Sequence, residues 1–225
     1  MNFPPTVVIN LPERKDRYNL FTKEFADWPV PIHRIEAIKE LPGYKGCSLS
    51  HKKAIQYAQA EKFPWVVILE DDCTLEADAI RQFTKLLPFL WLFRPEWDIF
   101  LGGTANILTN DNKILWFERK QLKKVSSIHV LSKELPLFQI KGYTTMFCLI
   151  HSSCYSKILN KLNDESSLPA IDVLYSTTFR QWCTYPQLIN STIGRSNAQH
   201  TKKADYTLSF NRASKFLYNA LKEEE

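Results

Sequence analysis

The chain has no apolar run long enough to cross a bilayer. Its longest, Leu86 to Phe93, is interrupted by Pro88 and falls far short of the roughly 20 residues a spanning helix needs. It has no cysteine pair at the close C-x-x-C spacing of common metal sites. Glycine is scarce, with six residues in 225, and none occurs between Asn10 and Gly43. That gap argues against a glycine-rich phosphate loop after the first strand, and so against a nucleotidyltransferase. No segment repeats at solenoid periods and none is low in complexity. The chain opens Met1-Asn2-Phe3-Pro4-Pro5, with no basic region leading into an apolar stretch. This start is expected of a cytoplasmic protein, soluble or peripheral to a membrane. The excess of one charge sign is also small, 29 basic against 24 acidic residues, for a net charge of +5. The basic residues cluster at Arg14-Lys15, Lys52-Lys53, Arg119 to Lys124 and Lys202-Lys203. Such a balance suits anionic small substrates or an acidic membrane surface and gives little support for nucleic acid.

What is present is ordinary globular material. The apolar fraction is 44% and the charged fraction 24%, enough for one α/β domain over residues 1–225 with its own core. The five cysteines, Cys47, Cys73, Cys148, Cys154 and Cys183, are expected as buried free thiols in a reducing compartment. Thr6 to Asn10 reads as a strand, and Tyr18, Phe21 and Phe25 follow at helical spacing. Ile32 to Ile38 reads as a second strand, and Gly43 and Gly46 as a loop. A helix capped by Ser48 or Ser50 and running to about Glu61 follows, with His51, Ala54, Ile55 and Ala58 on one face. Trp65 to Leu69 is continuously apolar, as in a strand buried on both faces of a parallel sheet. Thr74 is expected to cap the next helix, Asp98 to Leu101 to form a strand, and Ile114 to Phe117 another. Thr144 to Ile150 reads as strand, Ile171 to Trp182 as helix, Pro186 to Ile189 as extended, and residues 209–222 as helix capped by Ser209. Strands alternating with helices predict an α/β fold around a mainly parallel sheet flanked by helices. Ligands bind beyond the carboxyl ends of such strands.

The chemistry concentrates at one such end. Val66-Val67-Ile68-Leu69 runs directly into Glu70-Asp71-Asp72. Adjacent carboxylates repel unless water or a cation offsets them, and hard divalent ions such as Mg²⁺ or Mn²⁺ prefer oxygen ligands. In an extended segment Glu70 and Asp72 point to the same side and Asp71 elsewhere. The same acids would also serve as a solvated cap for the next helix, since acids favour helix N-termini.

Four pieces of sequence resemble glycosyltransferase family 25, the lipooligosaccharide and collagen galactosyltransferase-like enzymes. They are Val8-Ile9-Asn10-Leu11 followed by Arg14 and Arg17; Gly46-Cys47-Ser48-Leu49-Ser50-His51; Ile68-Leu69-Glu70-Asp71-Asp72; and Pro169-Ala170-Ile171-Asp172 followed by Pro186 and Ser196. Their order is what makes the likeness specific. The resemblance implies a GT-A-type nucleotide-sugar-binding fold and metal-dependent transfer with inversion at the anomeric carbon, from a UDP-sugar such as a galactose or glucose donor. It leaves the acceptor open among a glycan, a lipooligosaccharide and hydroxylysine.

On that footing Asp72 is the main Mn²⁺ or Mg²⁺ ligand and Glu70 a supporting one. His200 is a candidate for a further ligand late in the chain. Asp71 contacts the donor. Arg14 and Arg17 would address the nucleotide's phosphates or base, and Asn10 the uracil or the loop backbone. Asp172 is the first candidate for the base that takes the acceptor proton, and Asp98 the second. His51, on an apolar helix face, is expected to be structural, and Cys47 to lie in the core. The rival to turnover is a fold that binds a nucleotide sugar or glycan without transferring it.

Overall fold

The computed structural model describes residues 2–108, 129–132, 136–191 and 206–223. In chain order the elements are β1 (Thr6–Asn10), α1 (Lys15–Glu24), β2 (Ile32–Glu36), α2 (Gly43–Ala60), β3 (Trp65–Glu70), β4 (Cys73–Leu75), α3 (Ala79–Leu92), β5 (Ile99–Leu101) and β6 (Asn106–Ile107). There follow β7 (His129–Ser132), β8 (Leu137–Ile140), β9 (Gly142–Tyr143), β10 (Phe147–His151), α4 (Tyr155–Lys161), α5 (Ile171–Thr178), β11 (Gln181–Thr184), β12 (Ile189–Ser191) and α6 (Tyr206–Glu223).

Eight strands form the central sheet in the order β2-β1-β3-β10-β5-β11-β8-β7. The pairings set six of them in one direction, with β10 and β8 running against the rest. This is the mainly parallel α/β sheet the sequence predicts. Its faces are packed by different helices. Val7, Ile9, Val66 and Ile68 meet Ala54, Ile55 and Ala58 of α2, Ile158 of α4 and Leu174 of α5. Val8, Val67 and Leu69 meet Phe21 of α1 and Phe83, Leu86, Leu87 and Leu90 of α3. The alternate residues of β3 thus enter different cores, and Val66, Val67, Ile68 and Leu69 are fully buried. At about 1.5–3 kcal/mol for each such side chain, β3 is a strong anchor. The acids that follow it inherit a fixed position.

Several boundaries differ from expectation. Helix α2 begins at Gly43, so Gly43 and Gly46 lie inside it and Ser48 and Ser50 do not cap it. Both serine hydroxyls instead donate back into the helix, to the carbonyls of Tyr44 and Gly46. Gly46 is where the preceding segment crosses closely: a Cβ there would sit 2.5 Å from the Ile38 carbonyl oxygen. Thr74 caps nothing. It lies in β4, which pairs antiparallel with β12, and α3 starts later at Ala79. Helix α5 stops at Thr178, and Trp182 belongs to β11, drawn into the sheet beside β5 and β8. Ser209 is interior to α6. Ile114 to Phe117 lies outside the described residues.

Candidate active site at the carboxyl end of β3

Strand β1 pairs with β3 so that Ile9 lies opposite Glu70. Asn10, the last residue of β1, therefore stands beside the turn that carries Asp71 and Asp72. Its side chain is held at both ends. The amide Nδ2 donates to Asp71 Oδ2 at 2.6 Å and to the Arg14 carbonyl at 3.1 Å, and Oδ1 accepts from Arg34 Nη2 at 2.5 Å. Arg34 also lies over the Tyr18 ring, 4.5 Å from its centroid. From the first turn of α1, Arg17 Nη1 donates to Asp71 Oδ1 at 3.0 Å and Asp72 Oδ2 at 3.1 Å. All three side chains in this cluster are at most 15% exposed.

Glu70 turns to the other face. Its Oε1 accepts from the Thr145 hydroxyl and lies 3.5 Å from His51 Nε2. The other ring nitrogen of fully buried His51 faces the Tyr175 hydroxyl at 3.4 Å. The expectation that Glu70 and Asp72 share a side assumes that the strand continues. It ends at Glu70, and Asp71 and Asp72 form a turn, so the two aspartates share Arg17 while Glu70 faces α2.

The electrostatics follow from this crowding. Burial, followed by the charge of Glu70, pushes the Asp72 carboxyl up to about 7 despite Arg17. Burial also raises Asp71, with Asn10 and Arg17 offsetting part of the effect. Burial acts upward on Glu70 as well. There His51, Thr145 and Arg17 outweigh it and leave the carboxyl below its ordinary value.

Asp172 approaches from α5, whose start is tied to α2 by the Ser48 hydroxyl, its single proton shared between the Pro169 carbonyl at 2.7 Å and the Tyr44 carbonyl at 2.9 Å. Its Oδ1 accepts the Val173 N–H at 2.8 Å. Burial first, and the charge of Glu70 after it, raise its carboxyl. The structure therefore gathers Asn10, Arg17, Glu70, Asp71 and Asp72, with Asp172 within electrostatic reach. Arg14 is close by, but its guanidinium is engaged by Asp16 at 2.7–2.9 Å.

Asp98 is not part of this group. It precedes β5, whose Ile99 is level with Ile150 and hence with Val66 near the start of β3. That is the opposite edge of the sheet, roughly 16 Å of strand away. There Asp98 accepts from the Arg180 side chain at 3.0 and 3.2 Å and from its backbone N–H at 2.8 Å. His200 lies outside the described residues.

The sequence reading did not connect Thr145, Arg34, Tyr175 or Cys47 to the site. Cys47 and His51 carried a signal in their i, i+4 spacing, which aligns them on one helix face. Their ligand atoms and a Glu70 oxygen all lie within 4.8 Å of one another. Thr145 carried none, because the pairing of β10 with β3 alone brings it to Glu70.

The fold and this end of the sheet can be set beside known proteins. No curated protein matches the chain. Among solved structures, it is similar to a glycosyltransferase involved in the glycosylation of the major capsid of PBCV-1, with 12% identity, 87% of this chain and 96% of that one covered, and a TM-score of 0.51. A197 from STIV aligns at 11% identity over 88% of this chain and 96% of that one, with a TM-score of 0.48. The first likeness bears on the fold alone. Sequence goes further: the model of glycosyltransferase family 25, described as LPS biosynthesis protein, matches residues 42–223. That span contains Glu70, Asp71, Asp72 and Asp172 and covers most of the chain, which therefore belongs to glycosyltransferase family 25 and is a glycosyltransferase acting between a sugar donor and an acceptor.

Proposed function

We propose that the chain transfers a hexose, galactose or glucose, from a UDP-sugar to an acceptor hydroxyl of a glycan or lipooligosaccharide, with inversion and with Mn²⁺ or Mg²⁺ bound by Asp72 and Glu70. The observation that carries this reading is the buried acid cluster at the carboxyl end of β3, where Asp71 and Asp72 share Arg17 and burial, followed by the charge of Glu70, pushes the Asp72 carboxyl up to about 7. Two carboxyl groups in one dry pocket cannot both ionise cheaply. A hard divalent cation relieves that conflict: Asp72 offers carboxylate oxygen of the kind such an ion prefers, and Glu70, which faces His51 and Thr145, would turn to join it. When bound, the cation supplies stabilisation of the charge that grows on the departing diphosphate.

The chain's own residues perform the rest. Asn10 and Arg17 hold Asp71 in one orientation, from which its free lone pairs can accept a ribose or sugar hydroxyl. Arg17 places a guanidinium hydrogen-bonded to both aspartates, and a diphosphate entering beside it gains a charge-assisted partner. Asp172 accepts the acceptor's proton as the oxygen attacks the anomeric carbon from the face opposite the nucleotide. Its raised pKa makes it a better base than an ordinary aspartate.

The test is a panel of nucleotide sugars read by thermal shift and product release. A UDP-hexose should raise Tm only when Mn²⁺ or Mg²⁺ is present, and an acceptor saccharide should then release UDP. Stabilisation by the same donor in chelator, or release of pyrophosphate from a nucleoside triphosphate, would refute the reading.

A further inference from the structure

We infer that Cys47, His51 and Glu70 form a second cation site, one for a thiophilic divalent ion of the Zn²⁺ class, standing behind the donor site. Cys47 and His51 lie one turn apart on α2, and Glu70 arrives from the end of β3. One sulfur, one imidazole nitrogen and one carboxylate oxygen converge within 4.8 Å, the only such group of three among the described residues. Zinc bonds of about 2.0–2.3 Å set tetrahedral ligands roughly 3.4–3.6 Å apart, so closing the trio onto an ion needs about 1 Å of adjustment. His51 Nε2 and Glu70 Oε1 already stand at 3.5 Å.

The ligand types select the metal. Sulfur with imidazole favours zinc over manganese or magnesium, whereas Asp72 and Asp71 offer only oxygen. Thiolate and carboxylate together also neutralise a dication. The surroundings supply the orienting partner that zinc-bound histidines use. Tyr175 hydroxyl faces His51 Nδ1 at 3.4 Å, and when it accepts an Nδ1 proton, Nε2 turns its lone pair toward Cys47 and Glu70. In the metal-free form Nε2–H donates to Glu70 instead. Loading therefore forms S–Zn, N–Zn and O–Zn bonds, releases the Cys47 thiol proton to water and shifts the ring proton to Nδ1, with no change of oxidation state. Cys47 is only partly buried as a residue, but burial and then the charge of Glu70 hold its thiol well above the ordinary range, so the incoming ion has to displace that proton. Zinc there fixes Glu70 on the α2 side, where it already faces His51, keeps it from turning to the donor site and slows transfer. That consequence alone rests on Glu70 serving the donor site.

Binding can be read without activity by adding Co²⁺ to the full chain. The expected result is a near-ultraviolet thiolate-to-cobalt band with the visible bands of a four-coordinate ion, both displaced by Zn²⁺. Cys47→Ser should lose the near-ultraviolet band. Tyr175→Phe should keep it while weakening Zn²⁺ by about tenfold. In the unaltered protein, Zn²⁺ but not Mn²⁺ should protect Cys47 from alkylation, read by peptide mass spectrometry. No cobalt–thiolate band, a band that survives Cys47→Ser, or alkylation unaffected by Zn²⁺ would each overturn the inference. The band, together with UDP binding that ignores Mn²⁺ in cobalt-free and zinc-free protein, would uphold this site and sink the proposed function.

Discussion

The two ends of the central sheet both carry buried or half-buried aspartates, and they treat them in opposite ways. At the amino-terminal end, burial alone would raise the Asp98 carboxyl, but the Arg180 side chain and backbone N–H outweigh it and hold it below its ordinary value. That aspartate has its own cation and its own backbone donor, and the pair ties β5 to the start of β11. At the carboxyl end, Arg17 is shared by Asp71 and Asp72 while Glu70 adds a further negative charge. Asp71, Asp72 and Asp172 are all raised. A charge that is matched serves stability. A cluster whose charge is under-compensated awaits a ligand, and perturbed carboxyls of that kind gather at functional sites.

The sharpest way to break this contrast is to remove one aspartate from each end. Asp72→Ala should lower metal-dependent transfer about a thousandfold or more, since cation stabilisation is worth several kcal/mol. The metal-free protein should melt no lower than wild type, because a buried, strained carboxyl has been deleted. Asp98→Asn should leave transfer essentially unchanged. Equal loss of activity in the two variants, measured by initial rates, would erase the distinction.

Asp172 comes next. Asp172→Asn should reduce kcat by about 100- to 10 000-fold while leaving donor affinity close to wild type. Steady-state kinetics beside a binding titration separate the two, and parallel losses would mark a positioning role.

The pH dependence of stability should divide the carboxyls by the sign of their shifts, with Asp72 opposed to Asp98 and Glu70. Asp72 has an ordinary pKa of 3.8 and a folded value of about 7, so the folded form binds the extra proton. Its contribution is intact below about pH 4 and is lost as pH rises through about 7. Asp98 and Glu70 have lowered folded values, so their contributions are present above their ordinary pKa values and lost as pH falls through the folded ones. The Tm of chelator-treated protein should therefore fall between about pH 5 and about pH 8, less steeply in Asp72→Asn. Added Mn²⁺ should flatten the same limb.

The smallest effect belongs to the matched pair. Arg180 is half exposed, so solvent screening limits the ion pair to about 1 kcal/mol or less. Asp98→Asn should lower stability by that order in urea unfolding, with the loss shrinking in high salt.

How much of this was legible in the sequence depended on whether the signal was local. Trp65 to Leu69 reads directly as a buried strand, because both faces demand apolar residues, and the abrupt change to Glu70 shows where the sheet ends. Asn10, Arg17, Asp71 and Asp72 were joined by the family resemblance, and the structure supplies the reason: Asn10 closes β1 and the others come just after β1 or β3 at the same end of the sheet. The start of α2 was hidden, since Gly43 and Gly46 signal a loop by composition, yet Gly46 serves a close crossing by Ile38. The β4–β12 ribbon and the capture of Trp182 by β11 depend on partners over a hundred and about eighty residues away respectively. Local spacing cannot announce them. Asp98 and Asp172 look alike as isolated acids, and only the strand register shows that one faces away from the site. Cys47 and His51 were separately read as core, and both are packed there. The missing step was that their common face is the one Glu70 meets.

The claim that matters most is that the acids beyond β3 hold the cation through which a nucleoside diphosphate binds. Calorimetric titration of UDP into the protein, with and without Mn²⁺, addresses it directly in wild type and Asp72→Ala. Manganese should strengthen UDP binding by about tenfold or more in wild type and by nothing measurable in the variant. UDP affinity that ignores manganese, or a manganese effect that survives the loss of Asp72, would contradict it.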